Sequence, residues 1–177
     1  MTSFARLLAL LAATLIVASK AHAYPNGAPW GSANPAVEPN CSSCHFDGEA
    51  IVESKALTIS GLPQTLTGGK DYEIKLQVNR QTDSPTDGTA GFLVSASAGA
   101  FSTDNPDLET MGQELRSISP SHGASAEWKF NWTAPESQLQ SQSGPVIFHI
   151  GVNAANDDAS PFGDEIHFGT FEVPAKP

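Results

Sequence analysis

The sequence is poor in cysteine, in basic side chains and in long apolar runs, and each shortage removes a class of protein. Cys41 and Cys44 are its 2 cysteines, and they lie too close together for a framework of long-range disulfides. Lys and Arg number 9 against 19 Asp and Glu, a formal charge of -10. A polyanion needs basic side chains to neutralise its phosphates, so nucleic acid is excluded as a partner. The longest uncharged apolar stretch, residues 7–18, is too short to cross a bilayer as a helix. What remains is ordinary for a folded chain. Hydrophobic residues make up 40% of the 177 and there are 3 tryptophans, enough for one compact domain and against general disorder.

The first 23 residues read as an export signal. Arg6 gives a positive start, residues 7–18 form the apolar run, and Ala21-His22-Ala23 has the small-x-small form of a cleavage site. No Arg-Arg pair occurs there and no cysteine follows the site to carry a lipid. An organelle transit peptide fits less well, because the run is uniformly apolar and nearly free of Arg. Cleavage before Tyr24 removes Arg6 and Lys20 and no acid, leaving 154 residues with 7 basic and 19 acidic side chains, a charge of -12. The mature chain is then expected to be a soluble periplasmic or secreted protein without a transmembrane anchor. Its one methionine is Met111, and its histidines are His45, His122, His149 and His167.

Residues 24–40, YPNGAPWGSANPAVEPN, hold four prolines and two glycines and no periodic pattern, so they read as irregular and extended. After Gly48 the signals are those of strands. Residues 52–60 read as a first strand ended by Gly61-Leu62-Pro63. Residues 71–79 alternate, with Tyr72, Ile74, Leu76 and Val78 on one face. Residues 90–97 read as a short apolar strand, and 101–120 as less regular. Residues 126–134 set Trp128, Phe130 and Trp132 on one face, and 145–153 do so with Val146, Phe148, Ile150 and Val152. The last strand, 166–173, slips its apolar phase across Gly169, which predicts a bulge. Short strands with polar turns and no long helical pattern predict an all-β, immunoglobulin-like antiparallel β-sandwich with an irregular N-terminal segment. The expected division is 1–23 signal, 24–48 attachment segment, 49–177 sandwich.

The chemistry lies in Cys41-Ser42-Ser43-Cys44-His45, the C-x-x-C-H signature of covalent haem attachment. Two intervening residues let the backbone turn so that both thiols meet one porphyrin edge and become thioethers. The next residue, His45, then falls beneath the ring as proximal iron ligand. A dithiol redox motif belongs with a βαβ pattern, which is lacking. A structural zinc wants four Cys or His ligands, and there is no second cysteine pair. A plain short-range disulfide is the remaining alternative.

The second axial ligand decides what such an iron does. Met111 is the one thioether, in a segment that reads as a loop packed on the sandwich. His122 lies in a turn before the Trp128 strand, as a distal candidate or a loop hydrogen bonder. His149 and His167 fall on the faces opposite their apolar neighbours and read as solvated. If cleavage follows Ala23, Tyr24 offers a free α-amine whose pKa of about 8 is low enough to yield a neutral ligand. An iron without a second protein ligand is the further possibility.

Two family resemblances bear on these residues. Residues 49–177 resemble the Reelin-like (Reeler, or choice-of-anchor V) domain in the form bacteria export behind a haem motif. The likeness is carried by LTISGLP from Leu57, GFLVSAS from Gly91 with Gly99 and Phe101, Ser121-His122, WKFNWTAP from Trp128, and VNAANDD from Val152 followed by Gly163-Asp164. It implies an immunoglobulin-like sandwich. Bacterial members often begin with a Tyr-Pro, Gly-rich segment leading to C-x-x-C-H, as residues 24–45 do. Similar animal domains lack the haem motif yet carry a His resembling His122, which implies a structural role for that residue. The mature N-terminus is also similar to cytochrome f, an exported β-sandwich c-type cytochrome whose N-terminal Tyr amine is the distal iron ligand. That resemblance implies the Tyr24 amine and His45 as the ligand pair.

The oxygen-rich stretch 153–164 lacks the D-x-D-x-D-G spacing of a calcium loop and reads as a turn. The function expected is that of a soluble monohaem c-type cytochrome, an electron carrier rather than an enzyme, with one haem c. Its acidity would steer it towards a basic redox partner protein. The alternatives are a haem-based sensor or small-ligand binder with an open distal site, and an extracellular binding module with auxiliary haem. A peroxidase-like enzyme would need an acid-base group, for which His122 is the candidate.

Overall fold

A computed structural model describes residues 26–45, 50–79, 88–123, 125–136, 144–156 and 160–175. The expected signal segment and Tyr24 lie outside the described residues.

The chain adopts the fold class its strand pattern predicts. It is an all-β, immunoglobulin-like antiparallel sandwich preceded by an irregular N-terminal arm. Among the described residues ten strands follow a short 3-10 turn at Cys41–Ser43: β1 Leu57–Ser60, β2 Asp71–Asn79, β3 Thr89–Ala96, β4 Ala100–Ser102, β5 Leu108–Met111, β6 Glu114–Ser117, β7 Ser121–His122, β8 Ser125–Thr133, β9 Val146–Ala155 and β10 Glu165–Val173. One sheet is ordered β1-β2-β8-β4. The other is ordered β10-β9-β3-β6-β5, with β7 paired to the start of β3.

The core lies between the two sheets and is built by alternation. Ile74, Leu76 and Val78 of β2 and Trp128, Phe130 and Trp132 of β8 point inward from one sheet. Phe92 and Val94 of β3 and Phe148, Ile150 and Val152 of β9 meet them from the other. The aromatic rings interlock, with Phe92 4.6 Å from Trp128 and Trp132 5.0 Å from Phe148 between centroids. Such offset and edge contacts add to the area term. The chain changes sheet between β3 and β4 at Gly99, whose φ of +86° and close approach to Trp132 leave no room for a Cβ.

The structure departs from the sequence reading in three places. The expected strand over 52–60 is shorter: 52–56 form turns after a single parallel bridge from Ile51 to His167 of β10, and β1 starts only at Leu57. Residues 101–120 are less irregular than expected and hold β4, β5 and β6, strands too short to show a period. No bulge occurs at Gly169, because β10 pairs with β9 without interruption from Glu165↔Ala154 to Val173↔Val146. The phase slip has another cause. Phe171 and Val173 face the core, whereas Ile166 and Phe168 are buried on the outer face, at the N-terminal end of the strand. That outer face is covered, and its covering brings the site together.

Candidate functional site

The arm, residues 26–45, lies over the outer face of the larger sheet. Its fastening is polar and aromatic. The Gly31 N–H donates to both carboxylate oxygens of Glu114 at 3.0 and 3.1 Å. Arg116 donates from Nη1 to the Ala28 carbonyl at 2.7 Å, pairs with Glu109 at 2.8 Å, and sets its guanidinium 4.2 Å from the Trp30 ring centroid. Further along, Asn40 caps the 3-10 turn: its Oδ1 accepts from the Ser42 N–H at 3.0 Å, and Ser43 Oγ accepts from the Asn40 N–H at 3.0 Å. This reciprocal cap fixes the turn that carries both cysteines.

Between arm and sheet lies a cavity of about 710 Å³. Its floor is three neighbouring cross-strand pairs of β3 and β9: Thr89 with Ala155, Gly91 with Asn153, and Leu93 with Gly151. Trp30 and Pro29 of the arm and Ile118 and Pro120 after β6 close its sides. Cys41, Cys44 and His45 all line it. Gly151 has a steric reason to be glycine. A Cβ there would come within 2.8 Å of Cys41 Sγ and 3.2 Å of the Phe168 ring, closer than unstrained packing allows.

The two cysteines are unlike. Cys44 is exposed. Cys41 contacts the Ser32 carbonyl at 3.3 Å, and burial pushes its thiol up to about 11, against the smaller opposing effect of its hydrogen bonds. Both are free thiols, so the disulfide alternative is not adopted.

His45 is held by an acid from the far end of the sequence. Its Nδ1 lies 2.7 Å from Asp164 Oδ2, and the Asp164 side chain is 2% exposed. A carboxylate only accepts, so Nδ1 carries the proton and Nε2 keeps its lone pair when the ring is neutral. Asp164 is otherwise surrounded by donors: Asn153 Nδ2 reaches the same Oδ2 at 3.2 Å, and the Asn156 N–H reaches Oδ1 at 3.2 Å. Asn153 Nδ2 is also 3.4 Å from each ring nitrogen of His45. Its Oδ1 is buried without a hydrogen-bond partner among the described residues. Asn153, Asn156 and Asp164 therefore act together as a support for His45, while Asp157 and Asp158 of the same stretch lie outside the described residues. The Asp164 carboxylate faces N–H donors, which is not the setting of a calcium ligand. Among the described residues no group of three or more His, Cys, Asp or Glu is arranged to hold a metal ion.

The other sequence candidates are dispersed. His122 is exposed on β7, paired with Thr89, and does not line the cavity. Met111 is in β5 rather than a loop, and is 50% exposed. His149 is half-buried beside Thr170, its pKa lowered by burial against a smaller opposing effect of Glu53. His167 is the clear correction: it faces inward, 2% exposed, and not solvent. The cause is the same inward phase of β10 that carries Phe171. Its Nδ1 lies 2.8 Å from Ser54 Oγ and its Nε2 3.4 Å from Glu165, though not aligned for a hydrogen bond. Burial lowers its pKa, with Glu165 opposing. Ser54, His167 and Glu165 follow the order of a hydrolytic triad. Ser54 is buried, however, and its Oγ accepts the Ala56 N–H at 3.2 Å, which suits a turn anchor and not an exposed nucleophile.

No protein-family model matches the chain, and no curated protein matches it. Among solved structures it is similar to the reeler domain of human F-spondin, with TM-score 0.49 and 15% identity over 77% of this chain and 100% of that one. The Reelin-N domain of F-spondin gives 0.47 and 15% over 72% and 90%. A cohesin module from a family 33 glycoside hydrolase of Clostridium perfringens gives 0.45 and 17% over 68% and 95%. Among the described residues no helix is long and apolar enough to cross a membrane.

Proposed function

We propose that the cavity holds one haem c, bound through Cys41 and Cys44 and ligated by His45, and that the protein is an exported one-electron carrier. The observation carrying this reading is the convergence of all three residues of the C-x-x-C-H motif on the wall of one largely apolar cavity. Its volume of about 710 Å³ is within the range of sites that enclose small organic molecules and cofactors. The residues present fit the group. Both cysteines line the cavity from the capped turn, Gly151 seats Cys41, and His45 is held through Nδ1, so Nε2 is the nitrogen that would ligate. The haem, when bound, supplies a reversible one-electron couple. The chain's own residues tether it, orient the ligand and keep water from one face. The raised pKa of Cys41 also speaks against a dithiol oxidoreductase, whose attacking cysteine needs a lowered one.

For the distal side we retain the Tyr24 amine. Gly27 and Ala28 line the cavity, and three residues of chain reach at most about 10 Å, so the tether allows it. One observation favours a second reading, a sensor or small-ligand binder with an open iron: among the described residues lining the cavity, His45 is the one imidazole and no thioether is present. We read residues 49–177 as a Reelin-like sandwich carrying this site. The mature charge of -12 favours a basic redox partner.

The optical spectrum of the exported protein, oxidised and reduced, with and without carbon monoxide, separates the readings. A low-spin spectrum indifferent to carbon monoxide is expected for the carrier. A high-spin spectrum or rapid carbon monoxide uptake overturns it in favour of the open site.

A further inference from the structure

We infer that Asp164 is the positioning residue for the proximal ligand, and that its buried carboxylate lowers the reduction potential of the bound iron. The inference rests on the haem reading above. It starts from the 2.7 Å contact between His45 Nδ1 and Asp164 Oδ2, made by a side chain that is 2% exposed. A ligating imidazole gives its other N–H to a carboxylate, a carbonyl or water, and the choice sets how basic the ligand is. A carboxylate is the strongest of these acceptors. It draws the Nδ1 proton towards itself, increases electron density at Nε2 and so favours the ferric over the ferrous state.

The surroundings make the carboxylate effective. Water is shut out, so its charge is weakly screened towards the ring. None of its described hydrogen-bonding partners besides His45 is ionisable: Asn153 gives an amide N–H and Asn156 a backbone N–H. These donors hold the carboxylate in place without cancelling its charge by an Arg or Lys. Asn153 adds a second constraint, since its amide donates to the same carboxylate oxygen and lies against the ring. Asp164 stands immediately before β10 and Asn153 in β9, so the ring is tied to two paired strands as well as to its own capped turn.

The variant that separates this role from a merely structural one is Asp164→Asn. It keeps the shape and an acceptor oxygen but removes the charge. The midpoint potential of the holoprotein is expected to rise. Glu172→Gln, which removes an exposed carboxylate about 26 Å further along β10, is expected to leave the potential nearly unmoved. A wild-type measurement covers the case in which Asp164→Asn fails to fold. In reduced, 15N-histidine-labelled holoprotein the His45 Nδ1–H is expected as a downfield signal in slow exchange with water. An Nδ1–H that exchanges like an exposed ring proton, or an Asp164→Asn potential equal to wild type, overturns the inference while the haem reading stands. A wild-type chain that carries no haem overturns both.

Discussion

Cys41 sits on Gly151: the sulfur occupies space that any side chain at position 151 would fill, with a Cβ only 2.8 Å away. The relationship joins the arm to the middle of β9 and makes one missing methyl group a condition for the site. Gly151→Ala is therefore expected to destabilise the protein by about 1–3 kcal/mol, the usual cost of overpacking. It should also lower the ratio of covalent haem to protein in exported material. Gly144→Ala, at a position with nothing within 4 Å, should change stability by less than about 0.5 kcal/mol. Urea midpoints and haem-to-protein ratios of the two variants check this. Equal behaviour would mean that Cys41 is not seated on β9.

Arg116 fastens the arm by two contacts. That residue stacks on Trp30, donates to the Ala28 carbonyl and pairs with Glu109. Its loss removes a cation–π contact and a charge-assisted hydrogen bond in one step. Arg116→Ala is expected to loosen residues 26–45 ahead of the sandwich, by about 1–3 kcal/mol of local opening free energy. Native-state hydrogen exchange reads this directly. Protection should fall at Gly31 and Cys41 and persist at Ile74 and Val152 in the core.

Much of the sandwich is legible in the sequence, and the reason is alternation. Strands β2 and β8 bury one face only, and β9 does so over its first five residues, so their apolar residues recur every second position and declare both strand and core. The reading fails where that condition fails. In β10 both faces are buried near residue 167, so an inward-facing His167 looked like a solvated one and a covered outer face looked like a bulge. In β4 to β6 the strands are three or four residues long and no period can develop. For the site, the attachment motif is local in sequence and easily seen. Its partners are not. Asp164 lies 119 residues from His45, in a stretch whose Asn and Asp content suits any turn. Gly151 does leave a trace, as an isolated glycine interrupting an alternating strand, which is the mark of a close approach.

Acid should weaken the fold in a way that His167 explains. Burial depresses its pKa below the ordinary value of about 6.5, with Glu165 opposing in part. The unfolded chain therefore takes up a proton at higher pH than the native chain does. The stability contributed by neutral His167 is complete above pH of about 6.5 and is lost as the pH falls below that value. His149 is shifted in the same direction, so it adds to the slope. His167→Asn should flatten, without abolishing, the fall in urea midpoint between pH of about 7.5 and 5.5. An unaltered slope would remove His167 as its source.

The most direct test of the whole reading is whether haem remains attached to the exported chain after complete denaturation. Protein recovered from an oxidising compartment with haem c maturation machinery is unfolded, separated by size and examined for haem absorbance and intact mass. One haem per chain is expected, starting at Tyr24, and lost when Cys41 and Cys44 are both replaced by Ala. A correctly exported, folded chain whose mass shows no haem, or whose haem dissociates on denaturation, would contradict the proposal that Cys41, Cys44 and His45 form a c-type centre.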